Sequence, residues 1–423
     1  MTRLLQPVLA GLFSALVGFA STFAVVLAGL RAVGADQRQA ASGLLALCLA
    51  MGLVSIWLGV RQRMPIALAW STPGAALLVA TGTVEGGFAA AVGAFLLCGL
   101  LITVSGLVPP LGRAIAAIPA PVASAMLAGV LFDLCLAPVH ALVEVPLMAA
   151  PVVLTWAVLT RFARQWAVPA ALAVAAVVIV LTAPVGGLAE ADLRPTVELT
   201  TPAWSLSATV SLALPLFLVT MASQNVPGMA VLASFGYRPS LRSVLVGTGL
   251  ASTAAAPLGG HAVNLAAITA ALVAGPDADP DRGRRWIASV TTGVAYLLLG
   301  LGSGLATALV LLAPPVLVEA VAGLALLGAL GAAIAGAVAD PAGRSAAVVT
   351  LVVTASGLTV LGLGAAFWGL LAGCLFLLLD RRRPASAVVP GKDHPRSAVD
   401  AARPGGGRTD PAEPARVPPA RSE

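Results

Sequence analysis

The chain has 423 residues, 59% of them hydrophobic and only 10% charged, with a formal net charge of +6 at pH 7. A soluble domain carries about 25% charged residues, so this composition excludes a water-soluble globular fold. Apolar runs of about 20 residues recur, each long enough to cross a hydrocarbon core about 30 Å thick. A backbone in lipid must satisfy its own hydrogen bonds, and the absence of strand-period alternation leaves helices rather than an outer-membrane barrel.

In chain order, charges and Pro/Gly breaks predict fourteen spans, at about 7–30, 40–60, 64–81, 87–108, 119–137, 143–160, 166–184, 208–235, 241–256, 257–274, 285–312, 315–338, 344–361 and 363–379. The N-terminus runs directly into the first span without a small-residue cleavage site, so no cleavable leader is expected. That span carries "FASTFAVV", with polar Ser21 and Thr22 between Phe19 and Phe23. Its rings can pack on an aromatic solute or on the core. The third span, "PIALAWSTPGAALLVA" from Pro65, is short and is interrupted at Pro73 and Gly74. Acidic residues are few. Glu85, Asp133, Glu144, Glu319 and Asp340 map near predicted helix ends or loops. Asp133 and Glu319 are the two that one state of a transport cycle can bury.

The eighth span carries "MASQNVPGMAVL". Gln224 and Asn225 precede Pro227, which removes a backbone donor and frees a carbonyl. Two adjacent amides in a helix interior are costly unless paired. They serve either as polar glue between helices or as ligand contacts. The tenth span, "PLGGHAVNLAAITAAL" from Pro257, holds His261, predicted to be the one ionisable group well inside a span. An imidazole there is either a proton carrier or a neutral donor to a backbone carbonyl. From Arg381 to Glu423 the chain is Pro/Gly/Ala-rich and reads as a disordered tail.

Four cysteines lie singly in apolar runs and read as small core hydrophobes. The sequence contains no phosphate-binding loop, zinc signature or nucleophile elbow. An enzyme, a metal site and a cofactor are therefore not expected, and an ion gradient is the expected energy source. The basic residues sit in short loops, which argues for topology rather than a nucleic-acid partner. Arg3, Arg61, Arg63, Arg113, Arg161, Arg164, Arg238, Arg242, Arg282, Arg284, Arg285, Arg344, Arg381, Arg382 and Arg383 fall on one side, against Arg31, Arg38 and Arg194 on the other. This places both termini in the cytoplasm, with an outer 185–207 loop bearing Glu190, Asp192 and Glu198.

Three matches relate the halves: "VVLAGL" to "AVLASF", the third span to the tenth, and "PVASAMLAGVL" to "PVLVEAVAGLA". Seven spans per unit is odd, so the second copy enters from the opposite side. The expected organisation is a first repeat at 1–184, the outer loop, an inverted repeat at 208–380 and the tail. Short, interrupted spans at matching places point to a midplane site. An unwound helix N-terminus there offers free N–H groups and a positive dipole end, both suited to a small anion. In this alignment Asn264 stands opposite Thr72. The candidate substrate-binding set is Ser71, Thr72, Gly74, Gln224, Asn225, Gly260, His261 and Asn264. The candidates for proton coupling are His261, Asp133 and Glu319.

Taken together, "GLFSALVGFASTFAVVLAGLRAVGA", "AWSTPGAALL", "ASQNVPGMAVL" and "PLGGHAVNLAAITAAL" resemble the benzoate:proton symporter family of bacterial inner membranes. The likeness covers about residues 5–380. It implies import of benzoate or a related aromatic carboxylate with protons, through a seven-plus-seven inverted-repeat fold shared with nucleobase and sulfate-type transporters. It also implies a core domain (spans 1–4 and 8–11), a gate domain (spans 5–7 and 12–14) and a homodimer formed through the gate. The substrate would lie between spans 3 and 10, beside span 8. Relatives of that fold often carry a carboxylate on span 8 or 10, where this chain has amides and His261; an anionic substrate suits that difference. The rival expectations are a nucleobase or inorganic-anion transporter of the same fold, and a passive anion channel.

Overall fold

The computed structural model describes residues 2–108, 110, 119–182, 194–266, 269–360 and 364–380. The predicted tail, with Arg381, Arg382 and Arg383, and loop residues Glu190 and Asp192 lie outside the described residues.

The first repeat holds α1 (Thr2–Ala32), α2 (Gln37–Gln62), a short strand β1 (Leu68–Trp70), α3 (Thr72–Thr81), α4 (Gly87–Leu107), α5 (Ala120–Glu144), α6 (Pro146–Phe162) and α7 (Ala167–Thr182). The second holds α8 (Leu206–Ser234), α9 (Leu241–Ala255), strand β2 (Val263–Leu265), α10 (Ala270–Ala274), α11 (Trp286–Gly300), α12 (Ser303–Leu312), α13 (Pro315–Val338), α14 (Arg344–Ala355) and α15 (Ala365–Asp380). Local chemistry sets these limits. Asp36 and Gln39 form a reciprocal capping box at the start of α2, and Arg63 ends that helix in a left-handed conformation. Within α8, Pro215 and Pro227 each lack an N–H and crowd the carbonyl four residues back. The helix widens into π-turns over Thr209–Ala213 and Met221–Asn225 just ahead of them.

Among the described residues, seven helices have the length and apolarity to cross a bilayer, and the pair α11–α12, bent by 57°, makes an eighth. Every predicted span overlaps one of the elements above, though α3, α6, α9, α10, α14 and α15 are each shorter than a full crossing. Two differences matter. The third and tenth spans are extended rather than helical in their first halves. The fifth, expected to end at 137, continues through Pro138 to Glu144, so Asp133 sits near the middle of α5 rather than at its edge. The proline is tolerated because Gly323 of α13 packs against its ring and against the Leu134 carbonyl. Asp133 thus joins His261 as an ionisable group inside a spanning element.

The inverted repeat shows in the packing. α2 lies on α11 and α4 on α9, which are equivalent crossings with the two halves exchanged. Both rest on glycine. A Cβ on Gly52 would come within 2.7 Å of the Gly293 carbonyl, and one on Gly293 within 2.7 Å of the Gly52 carbonyl. Gly249 meets the Gly99 carbonyl in the same way. In lipid, close backbone approach of this kind supplies the helix-pairing energy that the hydrophobic effect supplies in water. α5 and α13 pack on each other, while α6 pairs with α7 and α14 with α15.

The described part of the 185–207 loop is pinned to both repeats. Thr200 N–H donates to the Pro257 carbonyl at 2.8 Å, and Ala203 N–H to the Ala89 carbonyl at 2.9 Å. Ser42 Oγ accepts from Glu198 N–H at 3.0 Å and donates to the Leu258 carbonyl at 2.9 Å.

Candidate functional site

α9 closes through a 3₁₀ turn at Ala256–Leu258, and Gly259 then turns the chain with φ 90°, a region glycine enters without strain. Beyond it the backbone runs extended into β2. On the other side, the chain bends at Met64, where Ile66 N–H donates to the Met64 carbonyl at 2.9 Å, before it enters β1. The two strands pair antiparallel, Leu68 opposite Leu265, Ala69 opposite Asn264 and Trp70 opposite Val263. Ser71 N–H donates to the Ala262 carbonyl at 2.9 Å and Ala266 N–H to the Ala67 carbonyl at 3.0 Å.

The sequence alignment set Asn264 opposite Thr72; the structure pairs it with Ala69. A two-fold axis through an antiparallel pair exchanges the residues of that pair, and Ala69 with Asn264 is the central one. The same spacing relates Pro119 and Pro314, the residues that precede α5 and α13. Matching small apolar letters could not fix the register to better than a few residues.

Backbone groups the strands leave unpaired are met by side chains from the surrounding helices. Ser55 Oγ of α2 accepts from Leu68 N–H at 3.3 Å, and Ser252 Oγ of α9 accepts from Val263 N–H at 2.8 Å. These two contacts are equivalents under the repeat. Asn225 Oδ1 of α8 accepts from Leu265 N–H at 3.0 Å, so the amide oxygen belongs to the strand. Asn264, with its amide turned to suit its neighbours, donates to the Leu265 carbonyl at 2.8 Å and accepts from Ser71 N–H at 3.1 Å. His261 is wholly buried. Its Nε2 lies 3.0 Å from the Ser71 carbonyl, its ring stands edge-on to Phe95 at 6.3 Å, and Nδ1 has no partner.

α3 begins where the pairing ends. Ser71 caps it, its Oγ accepting from Gly74 N–H at 3.1 Å and sharing a 2.8 Å hydrogen bond with Thr220 Oγ1 of α8. A Cβ on Gly74 would strike Leu216 and Ser71. Pro73 has no N–H, so the free donor of this first turn among the described residues is Thr72, which is half-buried. The side chain of Gln224, also half-buried, makes no hydrogen bond among the described residues. Gly260 N–H bonds the Ala255 carbonyl at 2.9 Å and closes the end of α9. Seven of the eight predicted binding residues thus surround the strand pair or abut it in sequence at α3 and α9, with Gln224 adjoining Asn225. Asp133 and Glu319 lie elsewhere, exposed on α5 and α13, with His140 and Glu144 in electrostatic reach of Glu319.

An aromatic group flanks the site. Phe19 and Phe23 stack at 5.3 Å, Phe19 lies 5.6 Å from Trp70, and Trp70 Nε1 donates to Thr22 Oγ1 at 2.8 Å. Phe19 and Phe23 also form one wall of an apolar pocket of about 430 Å³, lined elsewhere by side chains such as Leu172 and Ile179 of α7, Leu309 of α12 and Val321 of α13. Sequence reasoning named the two phenylalanines but not this pocket, nor Thr220, Ser55 and Ser252. The two serines had a detectable signal, since both are hydroxyls in helices preceding an interrupted span.

Residues 3–379 match the family described as benzoate membrane transport protein. The chain belongs to that family. It is 38% identical over 383 residues to the inner membrane protein YdcO of Escherichia coli (strain K12), covering 89% of this chain and 97% of that one. It is 32% identical over 382 residues to the benzoate membrane transport protein of Acinetobacter baylyi, covering 89% and 95%. Its fold resembles the transmembrane domain of a cyanobacterial bicarbonate transporter, BicA, with a TM-score of 0.53 at 16% identity over 89% of this chain and 97% of that one. This family member is a multi-pass membrane transport protein, not an enzyme.

Proposed function

We propose that the protein imports benzoate or a related small aromatic carboxylate together with protons, by alternating access across the bacterial inner membrane, with both termini cytoplasmic. The observation that carries this reading is the capped start of α3. It sets a free backbone donor and a positive dipole end beside two unwound strands and an aromatic group. In this reading the carboxylate takes the Thr72 N–H and hydroxyl and the Gln224 amide. The ring packs toward Phe19, Phe23 and Trp70. Ser71, Gly74, Asn225, Gly260 and Asn264 give the site its shape.

His261 carries the proton. A carbonyl oxygen only accepts, so the contact with Ser71 puts the hydrogen on Nε2 and leaves Nδ1 as the atom that gains and loses one. Nδ1 is sealed in the described conformation and is loaded in the opposite state. Spans 1–4 and 8–11 move as the core against a gate of spans 5–7 and 12–14. Radiolabelled benzoate uptake into proteoliposomes under an imposed pH gradient tests the proposal, with uracil and sulfate as competitors. Uptake above protein-free liposomes, blocked by excess benzoate but not by uracil or sulfate, is the expected result. Competition by uracil or sulfate instead would replace the substrate.

A further inference from the structure

Tyr296 of α11 is the bulkiest fully buried side chain among the described residues, at 1% exposure. Its hydroxyl makes no hydrogen bond among them. One turn along α1 from Gly18, the Thr22 hydroxyl is already engaged. Thr22 Oγ1 donates to the Gly18 carbonyl at 2.9 Å and accepts from Trp70 Nε1. The Tyr296 hydroxyl oxygen is not one of the wholly enclosed side-chain atoms left without a partner among the described residues, so this unpaired donor keeps a small open face that an acceptor can reach.

The hydroxyl's position is specific. It faces Gly18 of α1, where an added Cβ would lie 2.5 Å from Oη but 3.7 Å from the ring carbon that bears it. The same Cβ position is 3.6 Å from Thr269 Cγ2, at the residue that leads into α10. The Tyr296 ring is 6.5 Å from Trp70, at the end of β1 next to the Ser71 cap. The hydroxyl thus stands where α1, the end of β1 and the approach to α10 meet, and Gly18 is the residue that lets it stand there.

We infer that Tyr296 is a substrate-binding residue whose O–H donates a hydrogen bond to the carboxylate of the transported aromatic acid. The inference rests on the proposed function. A phenol donates well to an ionised oxygen and brings no charge to the membrane interior. The donor is held ready by packing alone, so no protein partner competes with the substrate.

Tyr296→Phe keeps the ring and removes only the donor. Proteoliposome initial rates should show KM for benzoate raised about tenfold with the maximal rate within about twofold, since one hydrogen bond to a charged group is lost in binding. In detergent, the ligand-free melting temperature should be unchanged and the upward shift produced by benzoate should be lost. A wild-type shift that persists in Tyr296→Phe, with unchanged KM, overturns the inference. A wild type that neither transports nor is stabilised by benzoate overturns the functional reading, and this assignment with it. Gly18→Ala checks the geometry. Alone it should lower the melting temperature, because the methyl takes the hydroxyl's space. Combined with Tyr296→Phe it should regain the melting temperature but not the affinity. Failure of that rescue also overturns the inference.

Discussion

His261 donates from Nε2 to the backbone carbonyl of Ser71, 3.0 Å away, and so ties the extended stretch ahead of α10 to the residue that caps α3. One side chain therefore touches both interrupted spans. In the proposed mechanism a change in its protonation would act on the geometry of the whole crossing.

Structural and titrating roles of His261 separate by substitution. His261→Gln offers an amide N–H to Ser71 but does not titrate. It is expected to exchange labelled for unlabelled benzoate across the membrane while losing gradient-driven accumulation. His261→Ala is expected to lose both. Asp133→Asn and Glu319→Gln, which change side chains away from the strand pair, are expected to accumulate benzoate as the parent does. Accumulation by His261→Gln under a pH gradient would move the proton to another residue, with Asp133 first in line.

Ser55 and Ser252 should matter for stability more than for transport. Both are buried, and each is the partner of a strand N–H. Removing the hydroxyl leaves that N–H unsatisfied, at a cost of about 1–3 kcal/mol. Ser252→Ala should lower the melting temperature more than Ser55→Ala, because its contact is 2.8 Å rather than 3.3 Å. Equal melting temperatures for both variants and the parent would show that the strands do not depend on these helices.

Much of this crossing was legible in the sequence because the physics there is local. Proline at 73 and 257 and glycine at 74, 259 and 260 are costly in continuous helices, and their clustering marked both breaks. Gln224, Asn225 and His261 were conspicuous because polar groups in lipid require partners. What stayed hidden depends on distance in space rather than in sequence. Asn225 looked like a ligand group until its oxygen was found on Leu265. Asp133 looked peripheral because Pro138 reads as a helix end, and only the packing of Gly323 shows why the helix goes on. The pocket wall from α7, α12 and α13 consists of ordinary apolar residues that carry no mark of their location.

Glycine substitutions should divide sharply by site. Gly52→Ala or Gly293→Ala forces apart α2 and α11, whose backbones meet there, and should cost about 1–3 kcal/mol. At Gly328 of α13 an added Cβ meets nothing within 4 Å. Gly328→Ala should be neutral, or stabilising by up to about 1 kcal/mol through helix propensity. Thermal denaturation of the purified protein in one detergent compares the three, and a Gly52→Ala variant as stable as the parent would contradict the close crossing.

In the proposed mechanism His261 is the one titrating group at the strand pair, which predicts one proton per benzoate. A benzoate anion entering with one proton is an electroneutral pair, so a membrane potential does no work on it. A pH gradient does: one unit is 1.36 kcal/mol, or about tenfold accumulation at equilibrium. Uptake should therefore follow an imposed pH gradient and ignore a potential set by potassium and valinomycin at equal pH. Because benzoic acid also crosses lipid unaided, the decisive quantity is the initial rate in excess of protein-free liposomes. Potential-driven uptake, inside negative and at equal pH, would require a second proton per benzoate, since each further charge gains about 2.3 kcal/mol per 100 mV. Asp133, near the middle of α5, would then be the group to test beside His261.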